Sequence, residues 1–306
     1  MEKLKSKIKE KKSSVPTRKT SVITGSKVKN QKVNKKVTVK VKVEDKVKKV
    51  VSEVQKLPKE STVVKKVTLP IPTPEEMLEA GVHFGHQVRR WHPTMAPYIY
   101  GKKSNIHILD LFITQKKLQE ACEFLYKKAK AGETILFAGT KRQAQDIIKE
   151  NAKECGALYM TNRWIGGTIT NFSEIKRNIE RLKNLTNQKK EGELSHYTKK
   201  EQLLIDREIK KLEFMVGGIA KMKKIPTVIF IVDVKKERTA YREAVRAGVE
   251  IVSLSDTNND ISFVKYPIPG NDDAMKSIAL IVKTVAEAVR LGYKESVKDT
   301  DPKTQS

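Results

Sequence analysis

Thr134–Ile148 reads TILFAGTKRQAQDII. Its first five residues, Thr134 to Ala138, form a short, continuously apolar run, the pattern of a parallel strand covered on both faces. GTKR at Gly139–Arg142 then turns the chain into a segment that carries Ala144, Ile147 and Ile148 at helical spacing. The unit repeats. Ala157–Met160 predicts a second, weaker strand, and Pro226–Val232 (PTVIFIV) a stronger third. Arg238–Ala247 predicts a helix, Val249–Leu254 (VEIVSL) a strand, and Ala274–Leu291 a long closing helix. Strand and helix in alternation predict an α/β fold on a doubly wound parallel sheet with right-handed crossovers.

Between the second and third strands the alternation is interrupted. Ile175, Ile179 and Leu182 step by four and three, and Ile205, Ile209, Leu212 and Val216 continue that spacing after the polar stretch Asn187–Thr198. Each series is an a/d-type seam with charged residues elsewhere. The prediction is an antiparallel coiled-coil hairpin over residues 172–218, inserted in the sheet domain and returning to it at Gly217 and Gly218.

Upstream, PIPTP at Pro70–Pro74 opens the folded region. Thr73, Pro74, Glu75 and Glu76 give a helix start with a capping hydroxyl, proline at the first helical position and acids in the first turn. Met77, Leu78 and Val82 supply its apolar face, with an expected end near Gly85. Trp91–Gly101 holds two prolines and no helical period and reads as loop or short strand, Ile106–Leu109 is strand-like, and Thr114 opens a helix carrying Leu118, Ala121, Cys122 and Leu125. The expected domain runs over residues 70–295. A lysine-rich flexible extension (1–69) precedes it, and a flexible tail (296–306) follows. Within the extension, Lys36–Glu44 (KVTVKVKVE) alternates strictly, without a comparable partner strand nearby.

Charge narrows the function. Of the 62 Lys and Arg and 36 Asp and Glu, 22 and 6 fall in the first seventy residues, so the remainder is basic in its own right. With a pI near 9.8 the natural partners are polyanions: RNA, DNA or an anionic membrane. Cys122 and Cys155, far apart in sequence, argue for a reducing compartment. No apolar run approaches the roughly 20 residues that cross a bilayer. MEKLKSKIKEKK has no apolar stretch of a secretory signal, and an extension whose only arginine is Arg18 is a poor organellar transit peptide.

Glu79–Trp91, EAGVHFGHQVRRW, sets guanidinium charge beside an aromatic face able to stack on a base. Ligands of a doubly wound sheet approach the carboxyl ends of its strands. There the chain places Lys141 and Arg142, Arg163 and Trp164, and the acids Asp233 and Asp256. Asp256, Asp260, Asp272 and Asp273 are candidate oxygen ligands for a hard cation, although DTNND and GNDD also read as turn and capping sequences, the preferred reading. His83, His86, His92 and His107 lack the companion spacing of a zinc site, so no metal is assigned. Gly139–Lys141 lacks the glycine spacing and hydroxyl of a phosphate loop, Gly166–Thr168 reads as a tight turn, and no nucleophile elbow is present.

Taken in order, EAGVHFGHQVRRWHPTMAPYIYG, NIHILDL, FAGTKRQAQDII, NRWIGGTITNF, the GGI at Gly217–Ile219 and YPIPGNDDA resemble the successive motifs of the protein-two family of the small ribosomal subunit, over about residues 74–292. The helical insertion resembles the bacterial form. After the DTN at Asp256–Asn258 the family's usual Asp-Pro-Asp-like turn is replaced by NDISFVKY. The resemblance implies a flavodoxin-like sheet domain with a coiled-coil hairpin, in a non-enzymatic protein of the cytoplasmic ribosome. It implies binding to small-subunit ribosomal RNA and to neighbouring proteins, including protein one of that subunit. It also implies support of assembly and translation, no cofactor beyond magnesium accompanying bound RNA, no membrane partner and no homo-oligomer. Transferred residue by residue, the RNA contacts are Arg89, Arg90, Trp91, His92, Lys102 and Lys103, with Lys141, Arg142, Arg163 and Trp164 on the sheet edge; for Trp164 a core position under the hairpin is an equal alternative. Two alternatives from other classes are a nucleotide- or metal-dependent enzyme using Asp233 and Asp256, and a membrane-surface module working through the basic extension.

Overall fold

A computed structural model describes residues 69–300. The lysine-rich extension, with its alternating stretch 36–44, lies outside the described residues apart from Leu69, as do residues 301–306. Helix α1 (Pro74–Glu79) starts as expected: Thr73 Oγ1 accepts from Glu76 N, and the Glu76 carboxylate accepts from Thr73 N. It stops well short of Gly85, because Gly81 adopts a left-handed φ of 74° and releases the chain into β1 (Phe84–Gln87). Strands β2 (Ile99–Lys103) and β3 (Ile106–Leu109) complete a three-stranded antiparallel sheet in the order β1-β3-β2.

Helix α2 (Leu111–Lys130) begins three residues before Thr114, capped by Asp110 Oδ1, which accepts from Phe112 N and Ile113 N. Then come β4 (Ile135–Ala138), α3 (Arg142–Cys155) and β5 (Leu158–Met160). Helices α4 (Phe172–Lys190) and α5 (Lys199–Val216) precede β6 (Val228–Val232). The chain finishes through α6 (Arg238–Ala247), β7 (Glu250–Ser255), β8 (Tyr266–Pro269) and α7 (Met275–Thr300). The second sheet is five-stranded and all-parallel, in the order β5-β4-β6-β7-β8.

Strand alternation sends neighbouring side chains to opposite faces, and both faces are covered. Ile135, Phe137, Phe230 and Leu254 pack with Leu118 and Leu125 of α2, Ile148 of α3 and Ile281 and Val285 of α7. Leu136, Ala138, Ile229 and Ile231 pack with Ile175 and Ile179 of α4, Leu212 and Val216 of α5 and Ala244 of α6. Each such aliphatic or aromatic side chain contributes about 1.5–3 kcal/mol by leaving water. This is why the continuously apolar runs become central strands.

Helices α4 and α5 lie against each other, with Arg181 paired to Glu208 at 2.5 Å and Lys189 to Asp206 at 2.6 Å. Burial along them is graded. Ile175, Ile179, Leu182, Leu212 and Val216 are buried, while Ile205 and Ile209 are half-buried. Gly218 returns the chain to the sheet by close approach: a Cβ there would stand 2.2 Å from Tyr159 O of β5. At the opposite edge β8 carries two prolines. Gly270 N donates to Ser255 O, so the alternation turns the ring nitrogens of Pro267 and Pro269 to the outer side, where no ladder hydrogen bond is lost.

Candidate nucleic-acid interface

The β2–β3 connection gathers the first basic cluster. Ser104 and Asn105, at φ 50° and 65°, make a two-residue turn closed by the Lys103–Ile106 pair. Lys102 and Lys103 therefore sit at the tip of the small sheet. Val88 N donates to Asn105 O at 3.0 Å, which holds the turn Val88–Arg90 beside that tip. Arg89, Arg90, Lys102 and Lys103 are all exposed, and among the described residues none of the four forms an ion pair. Trp91, 44% exposed, tilts at 47° against the His107 ring with centroids 5.8 Å apart. Tyr100 is 79% exposed on the same sheet.

The small sheet is fastened to the carboxyl edge of the large one. His86 N donates to Thr257 Oγ1 at 2.9 Å and His92 N to Thr257 O at 2.7 Å. Gly85 permits this approach, since a Cβ there would meet Thr257 Cγ2 at 2.7 Å. His92 Nδ1 contacts Thr94 Oγ1 at 2.8 Å. His92 thus joins the loop, while Arg89, Arg90 and Trp91 face outward.

At that edge lies an internal network of charge. His86 Nδ1 stands 2.8 Å from Asp256 Oδ2 and Nε2 3.6 Å from Asp273 Oδ2. The hydrogen bond to Asp256 and the charges of Asp256, Asp272 and Asp273 raise the imidazole pKa above its ordinary value against the cost of burial. Lys141 Nζ lies 2.7 Å from Asp272, 2.5 Å from Asp273 and 3.5 Å from Asp233. Burial opposes its charge, but the attraction and hydrogen bonds of these acids outweigh burial and raise its pKa. Burial first, then the charges of Asp233 and Asp256, push the Asp272 carboxyl up to about 7 despite Lys141.

His86, Asp256, Asp272 and Asp273 bring ligand atoms within 4.8 Å of one another, a donor set suited to a divalent ion. The Lys141 ammonium already supplies positive charge to two of these carboxylates. Asp260, grouped with them in the sequence, instead accepts from Ser262 N at 3.1 Å and caps its own turn. Asn259, in the atypical NDISFVKY stretch, holds that loop by donating to Asp272 Oδ2 and accepting from Lys235 N.

The remaining sheet-edge residues separate into two kinds. Arg142 and Arg163 are exposed. Lys141 belongs to the internal network above, and Trp164 is buried at 8% exposure with Nε1 donating to Glu243 Oε1 at 3.1 Å. Glu243 also accepts from Gly167 N at 2.9 Å and Ile169 N at 3.1 Å. It is therefore the residue that shapes the GGT turn. Burial alone would raise its pKa, but these donors overcome it and leave the carboxyl below its ordinary range. Nothing in the helical spacing of Arg238–Ala247 marks Glu243. Its signal is chemical, an acid on a helix face that must be buried. The cysteines are both free and buried, and burial pushes the Cys155 thiol up to about 11, so neither is poised as a nucleophile.

An exposed basic and aromatic tip on a parallel α/β body, with its acids engaged internally, defines a protein that works by contact. No helix among the described residues is long and apolar enough to cross a membrane. The sequence matches the family described as Ribosomal protein S2 over residues 77–292, and the chain belongs to that family, which is structural and non-enzymatic. It is 47% identical over 217 residues to "Small ribosomal subunit protein uS2" of Geotalea uraniireducens, covering 71% of this chain and 85% of the relative. It is 46% identical over 224 residues to the protein of the same name from Picosynechococcus sp., covering 73% and 88%.

Proposed function

We propose that the chain is a structural constituent of the small ribosomal subunit in the cytoplasm, binding its ribosomal RNA and supporting assembly and translation without catalysis. The observation that carries this is the cluster of Arg89, Arg90, Lys102 and Lys103, four exposed cations at one tip that pair with no carboxylate among the described residues. Phosphate contacts of this kind position RNA, and Trp91 and Tyr100 beside them add faces on which an unpaired base stacks. Arg142 and Arg163 extend the contact along the sheet edge. His92 shapes the loop that presents the tip, and Lys141 and Trp164 act from inside the fold.

The strand order, 2-1-3-4-5 when the parallel strands are numbered by themselves, favours a flavodoxin-like, doubly wound reading. We read α4 and α5 as the coiled-coil hairpin, reaching a second site on RNA or a neighbouring protein, and protein one of the subunit as one such neighbour. Magnesium enters with the RNA, and the protein works as a single copy without a membrane. The test is incorporation: Arg89→Glu with Arg90→Glu lowers the fraction of chain that co-sediments with small subunits, and normal incorporation of that variant removes the assignment.

A further inference from the structure

We propose that the crevice at the carboxyl ends of β4, β5 and β6 holds one unpaired ribonucleotide of the bound RNA, its phosphate on Arg163 and Lys236 and its ribose hydroxyl on Glu237. The inference rests on the RNA-binding reading above and adds a defined pocket to it.

The crevice follows from topology. The strand order reverses between β4 and β6. After β4 the chain enters α3, which packs on one face of the sheet, and after β6 it enters α6, which packs on the other. The two connections diverge and leave a gap at the switch point, the place where parallel α/β sheets take their ligands. That gap is a cavity of about 340 Å³, within the range of roughly 300–1,000 Å³ typical of small-molecule sites.

Its walls specify the ligand. Arg163 and Lys236 are exposed at the crevice, and neither forms an ion pair among the described residues. Glu237 is only 3% exposed. Its Oε1 accepts from Thr140 N at 2.7 Å and Thr140 Oγ1 at 2.5 Å, whereas its Oε2 takes no hydrogen bond from any described residue. A carboxylate oxygen left free beside the crevice can accept from a donor that enters it. A bare sulfate offers none, and inorganic phosphate offers only a P–OH on an anion that the carboxylate repels. A ribonucleotide offers both an anion for the two cations and a sugar hydroxyl for Glu237, and that hydroxyl is what distinguishes RNA from DNA. Thr239 joins the lining from the first turn of α6, whose N-cap residue is Glu237 itself, its side chain making no cap hydrogen bond.

Trp164 borders the crevice and reports on it. In the full chain labelled with fluorotryptophan, the Trp164 resonance should shift on titration with uridine monophosphate and with a short oligouridylate, at midpoints several-fold lower than with the deoxy counterparts. Glu237→Gln keeps the Thr140 contacts and should abolish the preference for the ribose form. Arg163→Ala with Lys236→Ala, both surface changes that leave the fold intact, should raise every midpoint about tenfold or more, as expected when charge-assisted hydrogen bonds are lost. Several results overturn the pocket: no Trp164 shift, an equal shift with inorganic phosphate, a ribose preference that survives Glu237→Gln, or a shift with the mononucleotide but not the oligonucleotide. Incorporation of the Glu237→Gln variant into subunits separates the two proposals. Failure of the Arg89 and Arg90 test strikes the general reading, whereas failure here with that test passed strikes only the pocket.

Discussion

Lys141 Nζ lies 2.7 Å from Asp272 Oδ1, tying the turn after β4 to the turn after β8 across the carboxyl edge of the sheet. Asp272 is fully buried and has Asp233 and Asp256 for company. Lys141→Met removes its counter-charge, so that at neutral pH the carboxyl takes up a proton, and the loss approaches about 3–5 kcal/mol, that of a broken buried pair, as pH rises above about 7. Urea denaturation followed from neutral to alkaline pH should show a deficit that grows with pH. Unchanged stability with weakened RNA binding would instead put Lys141 on phosphate.

Glu243 makes stability depend on acid. The folded carboxyl releases its proton more readily than the unfolded one, so its contribution is complete above the unfolded value and is lost as pH falls through the folded value. Glu243→Gln should therefore reduce stability at neutral pH by about 1.5–3 kcal/mol, the range for hydrogen bonds to a charged group. The deficit should shrink below pH ~4, where the wild-type carboxyl also protonates. A deficit constant across that range would mean that shape, and not charge, holds the GGT turn.

Gly218 tests the return of the chain from α5. A methyl group there collides with the Tyr159 carbonyl oxygen and with two ring carbons at 2.7 Å, so Gly218→Ala should cost at least about 1–3 kcal/mol. Gly166, with open space around its missing Cβ, is the control: Gly166→Ala should leave the melting temperature unchanged or slightly raised.

Charge at the small-sheet tip has a salt signature. Each phosphate contact removed lowers the slope of log affinity against log salt by roughly 0.7–0.9. Neutralising Arg89 and Arg90 should therefore flatten the slope for small-subunit RNA by about 1.4–1.8 in filter binding. Neutralising Lys189 and Arg181, already paired with Asp206 and Glu208, should change it less.

The buried strands were legible because β4 and β6 are covered on both faces, and a run such as Val228–Val232 has nowhere else to go. Helix ends were legible where capping chemistry is local, as at Thr73. Two strands, Phe84–Gln87 and Tyr266–Pro269, were not, and Ile99–Lys103 was legible only in part, as loop or short strand. FGHQ and IYGKK belong to a small sheet with one wet face, and their pairing is set by a turn that places Ser104 in an uncommon left-handed conformation. Tyr266–Pro269 carries prolines that speak against a strand unless it is known to lie at an edge. Arg89 and Lys102 could be singled out by residue type alone. Lys141 could not be told from a surface residue, and Trp164 read equally as core or as a stacking face, because Asp272 and Glu243 come from more than 75 residues away. Long-range partners of that kind leave no mark in local sequence.

Both margins of the parallel sheet are closed to strangers. Along β8, Pro267 and Pro269 withhold the donors that an incoming strand would need, and at β5 the turn around Gly218 already fills the space beside Tyr159. Copies crowded together before they find their places in a larger particle thus meet no free ladder on the parallel sheet. The basic tip stays available, and edge-to-edge pairing through this sheet is blocked.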